Sequence, residues 1–368
     1  LRIDVLDNVG LGGQPAGPPM ATLGQQADEG SIRVRRVWAE TLTPFGVLAA
    51  GRMGSHWGLG ILTHGGDGMD ADSGDAADRI AFVTPVAGLV WALAFDWSAT
   101  GPAVQRKAPG RTLDLDPRDD VRTFTFAVLR YNSDATFARR GLVGRSTFDA
   151  GLWLSLRDQE VDVPAGYLPL ASPTPLGPTQ VVPRGFSARA GDLWLRWRGP
   201  RFRVEAEAAV LQAEVAQVTL LPGALVRGAV ESLQLGAALQ SEFGDYKAGP
   251  GGGLDGGWAS GDPAPGFGAD QPVATGVPQK GDLDGPQADP PRDRRIDNFR
   301  FHSDFRIDRI LFREIIGRVT DAFYLRPHVH WRLPDFGGGA LEADFTAIAS
   351  WAQEPTSTPS GSRPLALE

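Results

Sequence analysis

Between Leu89 and Trp97 the residue character changes at every step. Leu89, Trp91, Leu93, Phe95 and Trp97 fall on one side, and Val90, Ala92, Ala94 and Asp96 on the other. A period of two belongs to a β-strand with two unlike faces. The pattern returns with Phe124, Phe126 and Val128 against Thr123, Thr125 and Ala127. It returns again with Phe148, Ala150, Leu152, Leu154 and Leu156 against Asp149, Trp153, Ser155 and Arg157. Leu193, Leu195 and Trp197 oppose Asp192, Arg196 and Arg198. After the Gly199-Pro200 turn, Phe202, Val204, Ala206 and Ala208 oppose Arg203, Glu205 and Glu207, which predicts a tight hairpin. Leu233, Leu235, Ala237 and Leu239 alternate with Ser232, Gln234, Gly236 and Gln240. Phe299, Phe301, Phe305 and Ile307 alternate with Arg300, His302, Asp304, Arg306 and Asp308, which predicts a further strand. The last two predicted strands set Phe323, Leu325, Val329 and Trp331 against Tyr324, Arg326, His328 and His330, and Leu341, Ala343, Phe345, Ala347 and Trp351 against Glu342, Asp344, Thr346 and Ser350.

Soluble sandwiches also carry such strands, so the connections have to decide. Leu42 to Phe45, Ala87-Gly88 and Gly199-Pro200 are short, whereas the stretches near 55–78, 99–120, 158–187 and 261–295 are long. Short turns on one side and long loops on the other are the rhythm of an outer-membrane barrel. The rhythm survives past Ser241 only if Gly251 to Ser260 is a glycine-rich strand. About 15 strands or fragments then follow, and the abrupt ends read as a trimmed piece of a barrel of roughly 16 to 18. The expected fold class is therefore all-β: one antiparallel transmembrane β-barrel domain spanning 1–368. Arg309 to Gly317 breaks the period and is read as a short turn helix at the periplasmic interface.

Composition supports strands over helices. The chain holds 47 Gly, 29 Pro, 10 Trp and 18 Phe but 3 Met. With 0 Cys, disulfide scaffolds and thiolate metal sites are excluded. The 36 basic residues are scattered among 44 acidic ones for a net charge of -8, which argues against a nucleic-acid partner. No apolar run reaches the roughly 20 residues of a membrane helix. The mean hydropathy of -0.17 is what alternating strands average to.

Pro44-Phe45-Gly46-Val47-Leu48-Ala49-Ala50-Gly51-Arg52-Met53, followed by His56-Trp57-Gly58-Leu59-Gly60, resembles porin-like outer-membrane proteins, in which a Gly-Arg strand leads into a Trp-Gly-x-Gly loop. The blocks Trp258-Ala259-Ser260-Gly261-Asp262-Pro263 and Phe299-Arg300-Phe301-His302 are similar to a family of myxobacterial-type barrels, itself like alginate-export proteins. The resemblance covers most of the chain. It implies location in a Gram-negative outer membrane, with lipid and lipopolysaccharide as surroundings, and no activity that transfers to particular residues.

The predicted inner face carries Arg157, Arg196, Arg198, Arg203, Arg300, Arg306 and Arg326, with Arg52 and Trp57 where a strand enters the first long loop. As a pore lining these would admit small hydrophilic, anionic or sugar-like solutes; the plainer reading is pairing with acids on neighbouring strands. Asp67, Asp70, Asp72, Asp75 and Asp78 crowd one Gly-rich loop and offer oxygen ligands for Ca²⁺, although the spacing is not that of an EF-hand. No other cofactor is expected. His328 and His330, with His302, form a weaker candidate for Zn²⁺. No Gly-x-Ser-x-Gly elbow or Walker loop is present, so an enzyme is not expected. The expected function is a porin-like channel or exporter, monomeric or oligomeric. The alternatives are a plugged structural or adhesion barrel whose outer loops bind a partner, and a soluble secreted sandwich.

Overall fold

The structure, a computed structural model, describes residues 2–5, 32–68, 71, 74–98, 119–162, 181–219, 225, 228–244, 249–263, 294–332, 341–358 and 361–367. The strands are β1 (Arg2–Val5), β2 (Ile32–Thr43), β3 (Gly46–Gly54), β4 (Ala76–Val86), β5 (Leu89–Ser98), β6 (Val121–Arg130), β7 (Thr147–Gln159), β8 (Phe186–Gly199), β9 (Phe202–Val215), β10 (Val230–Gly244), β11 (Pro250–Ala259), β12 (Ala322–Arg332), β13 (Glu342–Thr346), β14 (Ala349–Ala352) and β15 (Pro364–Leu367). From β1 to β12 each strand pairs antiparallel with the next; β14 and then β15 continue the sheet, and β13 also pairs with β12. Among the described residues no pairing joins β15 to β1.

Why these residues form strands is visible in their registers. Leu93 stands opposite both Phe82 and Phe126, and Phe126 opposite Leu154, so bulky apolar side chains meet across neighbouring strands on one face. At the β4–β5 turn Ala87 and Gly88 both take positive φ, 55° and 76°, the geometry of the tight hairpin turn whose twist matches the strands. Gly251 to Ser260, nearly bare of side chains, is held as β11 by partners on both sides. The glycine-rich strand expected there is present.

Burial runs opposite to that of a soluble sheet. On one face, hereafter the open face, Leu93, Phe124, Leu152, Leu154, Leu193, Leu195, Leu233 and Leu239 are exposed. On the other, the covered face, Asp96, Asp149, Asp192, Glu205 and Glu207 are buried. Aromatic rings collect toward both ends of the open face. At the long-loop end Trp258 faces Phe323, which faces Trp351. At the short-turn end Phe148 faces Trp197, and Phe202 faces Phe243. Phe323 and Trp331 mark the two ends of β12, roughly 27 Å apart at about 3.4 Å per residue.

Three expectations are corrected. Phe299 to Asp308 is not a strand: it belongs to a folded segment between β11 and β12, and Phe299, Phe301, Phe305 and Ile307 are buried instead of lying on the open face. Arg309 to Gly317 contains a π-helical turn, Leu311–Ile315, but within that same segment and with Phe312 buried, so it is not a link between two strands. The stretch from Leu341 to Trp351 divides into β13 and β14. An unforeseen helix, α1 (Asp134–Gly141), fills the β6–β7 connection, where the Ser133 side chain accepts from the Thr136 N–H as N-cap. Most of the long loops expected near 99–120, 158–187 and 261–295 lie outside the described residues.

Candidate functional site

Two connections at the long-loop end, in their described residues 55–68, 71, 74–75, 260–263 and 294–321, fold over the covered face. Trp57 packs against Trp194 and Ala127, bordered by Ala92, Leu129 and Trp153. Gly151 of β7 makes the space, because a Cβ there would stand 2.7 Å from the indole. Past the indole, the buried Glu207 carboxylate of β9 accepts from the Gly60 N–H at 2.9 Å and the Ile61 N–H at 3.2 Å. A buried carboxyl group accepting from two backbone donors ties the segment to the sheet.

Ile61 then enters an apolar cluster with Phe299, Phe301, Phe305, Phe312 and Val319, set against Ala209, Ala238, Ala259 and Tyr324 of the strands. Phe301 lies edge-on between Phe299 and Phe305, with ring centroids 5.7 and 5.4 Å away. Gly236 of β10 leaves room for the Phe299 ring, 2.4 Å from where its Cβ would be. The two segments join where the His302 N–H donates to the Ile61 carbonyl at 2.8 Å; within the second segment the Phe301 N–H donates to the Val319 carbonyl at 2.9 Å. A band of aromatic side chains thus crosses the polar face of the sheet.

The arginines singled out from the sequence divide. Arg196 stands opposite Asp149 in register and bonds it at 3.1 Å; Arg326 stands opposite Asp255 and bonds it at 3.0 Å. Arg198 reaches Asp134 at 3.0 Å, and Arg203 bonds Glu205 at 2.8 Å through Nε. Arg300 and Arg306 sit in the 260–321 segment, not on a strand. Arg157 is exposed near the end of β7. Arg52 pairs with Asp78 at 2.8 Å on the open face, sharing it with Leu48 and Ile80, so it does not line the covered face. Of the acidic set, Asp67 bonds Arg36 at 2.7 Å, Asp78 bonds Arg52, and Asp75 accepts from the His64 N–H at 3.2 Å. Those three described carboxylates take separate partners and do not share an oxygen cage; Asp70 and Asp72 lie outside the described residues.

Toward the short-turn end the band stops and leaves a polar cavity of about 460 Å³. Arg203, Glu242, Asp255, Arg309, Arg326, His328, His330 and Asp344 line it with Gln240, Ser241, Val329 and Thr346. His328 Nε2 lies 2.7 Å from Glu242 Oε2, and His330 Nδ1 lies 3.2 Å from Glu242 Oε1, so one carboxylate bridges both imidazoles. Facing cations and anions around a pocket of this size suit a small polar guest with both donors and acceptors.

His302 does not join His328 and His330 as expected; it stacks on His64, centroids 5.5 Å apart, while His56 meets His64 edge-on at 4.9 Å. Burial, then the neighbouring His56 and His302, hold the His64 imidazole below its ordinary pKa, so it is neutral at pH 7.

No protein-family model and no curated protein matches this chain. The residues therefore have to carry the functional reading by themselves.

His64 escaped the sequence reading, and so did the burial and partners of Glu207, Asp304 and the aromatic cluster, which were read only as two faces of strands. A buried glutamate and an exposed one look alike along a strand. The one available sign was the small residue opposite each aromatic group, Gly151 for Trp57 and Gly236 for Phe299, and it becomes readable only once the contacts are known.

Proposed function

We propose that this chain is a porin-like transmembrane β-barrel of a Gram-negative outer membrane, conducting small hydrophilic solutes through a lumen narrowed by its own segments at residues 55–68 and 294–321. The observation that carries this is the inverted burial: large apolar side chains stand exposed along every strand from β5 to β12, Val210 on β9 among them, while Asp149 at 0% and Glu207 at 2% exposure lie beneath. In water such a face would aggregate; in lipid it is the stable arrangement. Aromatic rows at both ends of the apolar band are what headgroup regions favour, and the roughly 27 Å between Phe323 and Trp331, which projects to roughly 20 Å at a strand tilt of about 40°, sets those rows near the edges of an apolar band of about 25 Å. The resemblance of the Gly51-Arg52 and Trp57-Gly58 region to porin-like proteins points the same way.

In this reading the covered face is the lumen wall, and the cavity around Glu242 and Arg326 is a solute site on the turn side of the constriction. Because Arg196, Arg198, Arg203 and Arg326 already face carboxylates, the cargo it suits is neutral or zwitterionic and sugar-like instead of strongly anionic.

The test is single-channel recording in planar bilayers, on the full-length protein and on a variant in which residues 298–319 are replaced by a short Gly/Ser linker. The proposal expects small steps from the first and clearly larger steps from the second. The aromatic cluster favours a second reading, a plugged barrel with a structural role, for which both proteins would be silent although inserted. A protein that stays monodisperse without detergent would overturn both readings.

A further inference from the structure

The five histidines of the chain gather into two groups, and the group at the joint between the inserted segments has the composition of a metal site. Single ligand atoms of His64, His302 and Asp304 lie within 4.8 Å of one another. His64 Nδ1 is 3.9 Å from Asp304 Oδ2, and His302 Nε2 is 3.6 Å from Asp75 Oδ1. We propose that His64, His302 and Asp304, with Asp75 at the rim, bind one divalent transition-metal ion of the zinc class, which clips the segment carrying His64 and Asp75 to the one carrying His302 and Asp304.

The backbone holds these groups in place. The Asp75 N–H donates to the His64 carbonyl at 2.8 Å while the Asp75 side chain accepts from the His64 N–H, so His64 and Asp75 are fixed as a pair. His302 is anchored through its own N–H to Ile61, and the Phe305 N–H closes a turn onto the His302 carbonyl at 2.9 Å, which brings Asp304 under the ring. Arg306 stands 3.8 Å from the other oxygen of Asp304, whose side chain is 1% exposed, and so orients the carboxylate. Around an ion with bonds of about 2.0 to 2.2 Å, tetrahedral ligands stand roughly 3.4 Å apart, so the set has to draw in by about 1 Å.

Binding changes two local contacts. An ion on His64 Nδ1 takes the place of the Gly66 N–H, which donates there at 3.0 Å. The Asp304 N–H, now 3.1 Å from His302 Nδ1, turns away as that nitrogen takes up the ring proton. Two imidazoles with carboxylates select Zn²⁺, Co²⁺ or Ni²⁺ over Ca²⁺, which prefers an oxygen cage. The site does not depend on whether the barrel conducts, so its test is independent of the recordings above.

The full chain, folded in detergent and stripped with EDTA, is titrated with Zn²⁺ by calorimetry and with Co²⁺ by visible absorption. The expected result is one ion per chain with a Kd of about 1 µM or tighter, and hydrogen exchange at residues 60–66 and 300–306 slowed on loading. The H64A/H302A double variant is expected to weaken binding at least about 10-fold, and H328A/H330A to leave it unchanged. Absence of saturable binding, binding that survives loss of His64 and His302, or binding lost with His328 and His330 would each overturn the proposal. Should H64A/H302A fail to fold, Asp304→Asn and the wild-type Co²⁺ spectrum decide. Intense four-coordinate bands weakened by Asp304→Asn support the site, and a weak six-coordinate spectrum refutes it.

Discussion

At the scale of single residues, parity along the strand decides environment. Leu193, in the middle of β8, is 47% exposed, while its neighbours Asp192 and Trp194 are 1% and 5% exposed. If the open face meets lipid, Leu193→Arg costs about 2 to 4 kcal/mol when measured by urea unfolding from lipid vesicles; on a water-facing surface it would be close to neutral. Asp321 is a different case. It stands at φ 46°, its carboxylate accepts from the Glu354 N–H at 2.8 Å and from the Ser357 hydroxyl, and burial outweighs those bonds, pushing its pKa from 3.8 to about 6. A carboxyl raised in the folded state stabilises most when protonated in both states, below 3.8, and that contribution falls away as pH rises to about 6. Asparagine tolerates positive φ and keeps an acceptor. The stability advantage of Asp321→Asn over the parent is therefore expected to grow between about pH 4 and pH 7, by on the order of 1 to 3 kcal/mol. A difference that does not change with pH would refute the assignment.

Among the elements, the segment from Phe299 to Asp308 is the instructive one. Its alternation of Phe with Arg, His and Asp is as regular as that of β8, yet it forms no strand of the sheet. Period two reports that the two sides of a segment differ and says nothing about which side meets solvent, lipid or another element. Here the apolar side turns onto small residues of the sheet, Ala209 and Ala238 among them. Without a side chain at Gly236 the Phe299 ring fits; Gly236→Val puts carbon into that ring, which costs about 1 to 3 kcal/mol in overpacking and loosens the segment. Limited proteolysis should then cut between residues 294 and 320 faster than in the parent, with β12 still protected. Cleavage at the parental rate would mean that Phe299 does not depend on the gap.

For the whole molecule, charge on the covered face is laid out in opposite pairs. Asp149 with Arg196, Asp255 with Arg326 and Asp96 with Arg79 are cross-strand partners in register. Such pairs cancel over a few ångströms, so they fill and stiffen a wall without giving it one sign. Reversal potentials under a salt gradient are accordingly expected to lie near zero, with weak dependence on salt. Strong anion selectivity would mean that the pairs open in solution. For Arg196 and Arg326 this is the plainer of the two readings that the sequence offered, pairing with acids on neighbouring strands.

The sequence alone determined the element type, because alternation, turn chemistry and the absence of long apolar runs are local properties. It also determined most strand positions, including the glycine-rich β11, and the identity of the polar face. What tertiary structure decided is what lies against that face. Trp57 meets Trp194 across 137 positions of chain, Phe299 meets Gly236 across 63, and Glu207 finds the Gly60 amide across 147. Segments so far apart cannot signal their pairing through spacing, since packing selects them by shape and by the need to satisfy buried polar groups. For the same reason His302, read from the sequence with His328 and His330, stacks instead on His64, at the joint that only folding creates.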